Sequence, residues 1–236
     1  MLSFMNKISL KGIEVYPFTS SEQIIDFALQ HKGILVAVNA EKVIRAKPQL
    51  RSLISRNIGY CDGIGPVLAL QRMGCKEAVK IAGCELWLHL VRRCHKDKRF
   101  YLVGGTQEVI TATVEKLRRE FPDISIAGFR NGYLSNDAEK EALLADIAAK
   151  QPDIVFVAMG SPRQEMLMEE MQARHRAIYQ GLGGSFDVYT GRVKRAPEMW
   201  LRCNAEWLYR LIHQPSRIKR QLSLVKFAYW IAAKKF

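Results

Sequence analysis

The stretch FYLVGGTQEVITATVEKLRREFPDISIAGF (100–129) decides the fold. Phe100–Val103 is a continuous apolar, β-rich run, followed by the small and polar residues Gly104-Gly105-Thr106-Gln107. A helix-period segment then covers 107–120, and a second β-rich run follows at Ile124–Phe129. Strand, glycine turn, helix and strand in this order are the signature of a parallel sheet covered by helices. The pattern extends both ways along the chain. Strands are predicted at Ile34–Asn39, Ile58–Cys61, Val79–Ala82, Ile154–Met159 and Ala177–Leu182, and helices near 21–31, 64–73, 85–96, 137–150, 162–174, 198–213 and 217–234. Asn136-Asp137 reads as a capped, acidic helix start. Ser161-Pro162-Arg163-Gln164 combines an N-cap, a proline in the first turn and a capping-box glutamine.

Composition bounds the class. The chain has 236 residues, 48% of them hydrophobic, enough for one globular domain with a substantial core. Disorder, collagen and a disulfide miniprotein are excluded. The formal charge is +13, and residues 191–236 hold 11 Lys and Arg against two acids, a net +9. A nearly balanced body therefore ends in a strongly basic tail. The five cysteines are odd in number and form no Cys-x-x-Cys pair, which argues against a zinc site or a disulfide framework. Lys7, Lys11 and Glu14 interrupt any signal-peptide core, and the longest apolar window, Leu222 to Ala233, is short and contains Lys226. The expectation is a reduced, cytoplasmic protein without a membrane span.

In open α/β sheets, ligands sit beyond the carboxyl ends of the strands. Five strand ends carry suggestive residues: Asn39-Ala40-Glu41, Asp62-Gly63-Ile64-Gly65, Gly104-Gly105-Thr106-Gln107, Gly160 to Gln164, and Gly181 to Asp187. Glycines there let a backbone approach a polyanion such as a diphosphate, and Thr106 or Ser161 can cap a helix facing it. Neither the dinucleotide Gly-x-Gly-x-x-Gly nor the P-loop pattern is present. For any one glycine an ordinary turn is the better explanation; five at equivalent places shift the balance toward one cleft edge. Asp62, directly after a strand and before glycine, suits a general base that deprotonates a hydroxyl nucleophile, and it equally suits a helix N-cap. Asp187 makes a weaker case of the same kind. His31, His89, His95, His175 and His213 lack partners at metal spacing and read as structural or surface residues.

The tail has two parts. Gly191-Arg-Val-Lys-Arg-Ala-Pro197 is a basic loop suited to neutralising phosphates. Beyond Pro215, Ile218, Leu222, Val225, Tyr229, Ala232 and Phe236 fall near one helical face, ringed by cations. That arrangement fits a helix lying in the plane of an anionic membrane, a helix docked on the body, or a basic nucleic-acid-binding element. The aromatics Phe227, Tyr229, Trp230 and Phe236 favour lipid over duplex contacts.

Six ordered stretches, VNAEK (38–42), CDGIGPV (61–67), FYLVGGTQE (100–108), VAMGSPRQE (157–165), GLGGSFDVYTGRVKRAP (181–197) and EWLYRLIHQPSRIKRQ (206–221), resemble the WecG/TagA/CpsF glycosyltransferases, family 26, over almost the whole chain. The resemblance implies a Rossmann-like, largely parallel α/β sheet of the GT-E type in residues 1–195, with a basic helical, membrane-associating appendage in 196–236. It implies an inverting enzyme on the cytoplasmic face of the inner membrane, peripheral, without metal or other cofactor and without nucleic acid. The tail is most similar to the enterobacterial-common-antigen branch. That branch implies transfer of N-acetyl-D-mannosaminuronic acid from UDP to N-acetylglucosaminyl-diphospho-undecaprenol. The alternative within the family is a UDP-N-acetylmannosamine or other UDP-sugar transferase of teichoic acid, capsule or exopolysaccharide synthesis. Family roles carry over to Asp62 as base, Asn39 and Gln164 as polar contacts, and Arg217 and Arg220 as residues meeting the lipid diphosphate. Lys80, Lys194, Arg195 and the strand-end residues Gly104, Gly105, Ser161, Gly183 and Gly184 are candidates for substrate binding. Ala37 and Lys80 stand where the teichoic-acid branch has Thr and Arg; lysine is a point charge where arginine is a fork.

Overall fold

The computed structural model describes residues 5–203, 206–213 and 218–233. The chain opens with a two-stranded antiparallel hairpin, Ile8–Leu10 (β1) and Ile13–Val15 (β2), closed by Lys11 and Gly12 at φ of 53° and 77°. Positive φ at both central positions is what a type I′ turn requires. With arms of three residues, this hairpin carries too little alternation to be predicted from sequence.

The elements that follow are Ser21–His31 (α1), Gly33–Val38 (β3), Ala40–Arg45 (α2), Pro48–Arg56 (α3), Ile58–Cys61 (β4), Ile64–Arg72 (α4), Gly83–Cys94 (α5), Arg99–Gly104 (β5) and Gln107–Glu120 (α6). Then come Ser125–Arg130 (β6), Asp137–Lys150 (α7), Ile154–Ala158 (β7), Arg163–Arg174 (α8), Ile178–Gly181 (β8), Ser185–Tyr189 (α9), Glu198–Arg202 (α10), Glu206–His213 (α11) and Ile218–Ala232 (α12). Strands β3 to β8 form one sheet in the order β4-β3-β8-β7-β5-β6, and every neighbouring pair is parallel. The Rossmann-like α/β reading is therefore correct, and all six carboxyl ends lie along one edge.

Side chains alternate across the sheet with the period of two that a strand imposes. Val36, Val38, Val155 and Val157 face a core shared with α3, α7 and α8. Leu35, Phe100, Leu102 and Phe156 face a second core, built with α1, α5 and α6 around the fully buried Trp87. Both faces are covered, which is why the strands read as continuous apolar runs.

Two predicted elements need correction. Val79–Ala82 is not a strand of the sheet. It is an extended segment held by two backbone bonds, Val79 N–H to Phe18 O at 3.1 Å and Ile81 N–H to Cys61 O at 2.9 Å, before Ala82 turns into α5. The segment at 198–213 is two helices, α10 and α11, rather than one. The short helices α2, α3 and α9 are additional to the predicted set.

Helix α12 lies against α2 and α4. Phe227 is 2% exposed and packs on Gly65, while Leu224, Trp230 and Ile231 are partly buried beside it. The Arg72 guanidinium donates to the Ile231 carbonyl at 2.8 Å. The opposite face is open, with Val225 71% and Tyr229 58% exposed.

Candidate active site

The site is assembled where β4, β3, β8, β7 and β5 end. With strands about 4.8 Å apart, this edge is about 19 Å long from the end of β4 to the end of β5. Asp62 follows β4; its N–H bonds the Val38 carbonyl at 2.9 Å, continuing the β3–β4 ladder by one step. Its Oδ1 accepts the N–H of Gly83, the first residue of α5, at 2.9 Å. The N-cap of α4, the helix directly after it, is Gly63, with no side-chain bond. Asp62 thus satisfies an orphan amide at the positive end of α5, a different helix from the one its position in the sequence indicated. The Gly83 carbonyl is held in turn by the Gln180 amide of β8 at 3.1 Å, so this helix start is clamped on both sides.

The Asp62 charge is felt beneath the site. Burial, reinforced by that carboxylate, holds the Tyr60 hydroxyl well above the ordinary tyrosine range. Burial and then the same carboxylate push the Cys61 thiol up to about 12, so Cys61 stays protonated at neutral pH and is no nucleophile.

Asn39, at the end of β3, caps α2 by accepting the Lys42 N–H at 2.9 Å. It sits beside the Asp62-Gly63 turn: a methyl group at Gly63 would lie 3.6 Å from the Asn39 Cβ. Gln164 is 4% exposed, and its Oε1 accepts two backbone amides, Gly160 at 3.1 Å and Gly183 at 2.9 Å. It therefore fastens the β7 turn to the β8 turn. Its Nε2 donates to Glu165 Oε1 at 3.3 Å. The capping-box expectation is half right, since Gln164 reaches back to Gly160 as such a residue does. Ser161 does not cap: the N-cap of α8 is Pro162, without a side-chain bond, and Ser161 is exposed before a cis Ser161–Pro162 peptide.

Gly104 and Gly105 close the β5 end. Gly104 has φ of 136°, and a methyl group on it would lie 2.2 Å from the Ala158 carbonyl oxygen, so only glycine fits. Thr106 caps α6 by accepting the Val109 N–H at 3.3 Å, as predicted. Gly184 is the N-cap residue of α9. Lys80 is half-buried on the segment beside Cys61, one residue from the Ile81–Cys61 bond.

The basic loop divides. Lys194 is exposed, whereas Arg195 forms an ion pair with Glu85 in the first turn of α5, where Asp62 also binds. Arg195 is thus at the site edge but shares its charge with a carboxylate. Arg217 lies outside the described residues, as does the side chain of Arg220 in α12. Asp187 is half-buried in α9 and contributes its carbonyl to the Val193 N–H. Among the described residues no three His, Cys, Asp or Glu side chains group as a metal site would need. No described helix is long and apolar enough to cross a membrane.

Sequence reasoning missed Lys42, Glu165, Gln180 and Gly83. Lys42 Nζ bonds Glu165 Oε1 at 2.7 Å and the Ala37 carbonyl at 2.8 Å. Gln180 did carry a signal, being the one polar side chain in an otherwise apolar strand, and it is fully buried.

A parallel α/β sheet with a carboxylate, buried amides and glycine turns gathered on its carboxyl edge defines a Rossmann-like protein, the class in which ligands sit beyond that edge. The sequence matches the glycosyl transferase WecG/TagA/CpsF family over residues 8–236, nearly the whole chain, and the protein belongs to that family. It is a glycosyltransferase, with a sugar donor and an acceptor as its substrates.

Proposed function

We propose that this protein transfers N-acetyl-D-mannosaminuronic acid from UDP to N-acetylglucosaminyl-diphospho-undecaprenol, with inversion, at the inner face of the cytoplasmic membrane. The observation that carries the mechanism is Asp62: a carboxylate at the end of β4, oriented through Oδ1 by the Gly83 amide and beside Asn39, with Lys80 on the segment that bonds the preceding Cys61. In a single displacement, Asp62 takes the proton of the acceptor hydroxyl as its oxygen attacks the anomeric carbon; the bond from that carbon to the UDP oxygen breaks. The departing diphosphate needs positive charge or aligned N–H groups. The exposed Lys194 and the half-buried Lys80 are suited to supply the charge; the turns at Gly104-Gly105 and Gly183-Gly184 let the backbone come close to the phosphates, and the edge of about 19 Å has room for an extended nucleotide sugar. The donor follows from the similarity of the tail to the enterobacterial-common-antigen branch. Incubation with a panel of UDP sugars and a short-chain lipid-diphosphate N-acetylglucosamine acceptor tests it. Turnover is expected with the N-acetylmannosaminuronic acid donor; turnover only with UDP-N-acetylmannosamine or another sugar would replace it with the alternative assignment.

The membrane contact is read from residues 196–236, taken as the appendage to a catalytic body of 1–195. Exposed Trp207, Ile212, Val225 and Tyr229 stand in a segment of strong positive charge. Apolar side chains that enter the headgroup region contribute roughly 1.5–3 kcal/mol each, and each cation near an anionic surface about 1 kcal/mol. Val225→Glu is expected to lower sedimentation with anionic vesicles at least about tenfold while leaving the melting temperature unchanged, since the Val225 side chain is largely exposed. Unchanged sedimentation, or tight salt-sensitive binding to duplex DNA instead, would remove lipid as the partner.

A further inference from the structure

The Lys42–Glu165 pair differs from every other ion pair among the described residues. Its side chains are 11% and 1% exposed; no other pair has both partners below a quarter exposed. Removing two charges from water is expensive, and an apolar pair of the same volume commonly does as well for stability. Glu165 is also incompletely satisfied, because its Oε2 is buried with no hydrogen-bond partner. A pair so placed calls for a reason other than holding the fold.

Its neighbours supply one. Asn39 Oδ1 holds the Lys42 N–H, Lys42 Nζ holds Glu165 Oε1, Glu165 Oε1 takes the Gln164 Nε2, and Gln164 Oε1 takes the amides of Gly160 and Gly183. This continuous chain crosses the ends of three adjacent strands, β3, β8 and β7. A carboxylate can only accept, so Glu165 compels Gln164 to turn its NH₂ inward and its oxygen toward the two glycine amides. Lys42, for its part, neutralises a carboxylate that would otherwise lie bare near a diphosphate.

We propose that Glu165 and Lys42 are positioning residues: Glu165 fixes the orientation of the Gln164 amide, and thereby the turns at Gly160 and Gly183, while Lys42 shields an anionic donor from Glu165. The kinetic half of this inference rests on the glycosyl-transfer reading of the cleft; the structural half does not.

Amide hydrogen exchange by NMR is measured at Gly160 and Gly183 in the full chain, beside kcat and donor KM, for Glu165→Gln, Lys42→Met and the neutral double variant. In Glu165→Gln the new amide can donate as well as accept, so both glycine amides are expected to exchange at least about fivefold faster, with kcat falling about tenfold and donor KM little changed. In Lys42→Met the bare carboxylate is expected to raise donor KM about tenfold. The double variant covers the case in which a single variant does not fold. It is expected to recover the wild-type melting temperature while Gly160 and Gly183 still exchange fast. A double variant that restores exchange, or Glu165→Gln with unchanged exchange, would overturn the positioning role. Equal KM changes in both single variants would overturn the shielding role. If the wild-type protein turns over no UDP sugar, the functional reading fails, and the exchange result still decides the structural half.

Discussion

Asp62→Asn is expected to lower transfer by about 10²–10⁴-fold, the span that a positioned general base contributes, while the protein stays folded. The Asp62 side chain has two tasks, and asparagine keeps one of them. Oδ1 accepts the Gly83 N–H, and an asparagine oxygen accepts it as well, so the start of α5 remains satisfied. What asparagine lacks is the capacity to take a proton from the acceptor hydroxyl. Asp62→Ala provides the contrast: it loses the base and also the bond to α5, adding a destabilisation of about 0.5–2 kcal/mol, the usual cost of losing a helix-start acceptor. Turnover numbers and melting temperatures of the two variants, side by side, check both parts. Full turnover by Asp62→Asn would exclude Asp62 as the base.

The largest expected effect on stability comes from Gly104→Ala. The new methyl group would meet the Ala158 carbonyl at 2.2 Å, and that carbonyl also accepts the Gly105 N–H at 3.2 Å, so it has little room to retreat. The backbone at φ of 136° is itself unfavourable for any residue with a Cβ. Strain of about 1–3 kcal/mol and a comparable cost of overpacking combine to roughly 2–6 kcal/mol. At about 2–4 °C per kcal/mol for a domain of this size, the melting temperature should fall by at least about 4 °C. Thermal unfolding of the variant measures it; a shift below about 2 °C would show that the β5 turn is more pliable than its geometry implies.

Much of this architecture was legible because strands covered on both faces announce themselves as unbroken apolar runs. The runs at 34–39, 58–61, 100–103 and 154–159 gave the sheet, and its parallel sense brought the glycine-bearing ends to one edge. Val79–Ala82 misled because Ile81 is buried in the core without joining a ladder, so composition could not distinguish the segment from a strand. Asp62 was legible as a polar residue at a strand end. Its choice of α5 was not, since that depends on where the 79–83 segment runs in space. The pair Lys42–Glu165 was invisible for a plainer reason: its members are 123 residues apart in the chain, and no local pattern joins them. The bond of Gln164 back along its own turn to Gly160 was legible in the capping-box pattern. Its bond to Gly183 needed β7 and β8 side by side.

The docking of α12 changes what a shortened chain would mean. Phe227 belongs to the same apolar cluster as Val43 of α2 and Val67 of α4, and those helices begin directly after Asn39 and after the Asp62-Gly63 turn. Removing the C-terminal segment would therefore be surgery on the interior: it would open a wet hole against the two helices whose first turns carry the site. Loss of activity in such a truncation could not be credited to lost membrane attachment alone, and point changes on the outward face of α12 are the cleaner instrument.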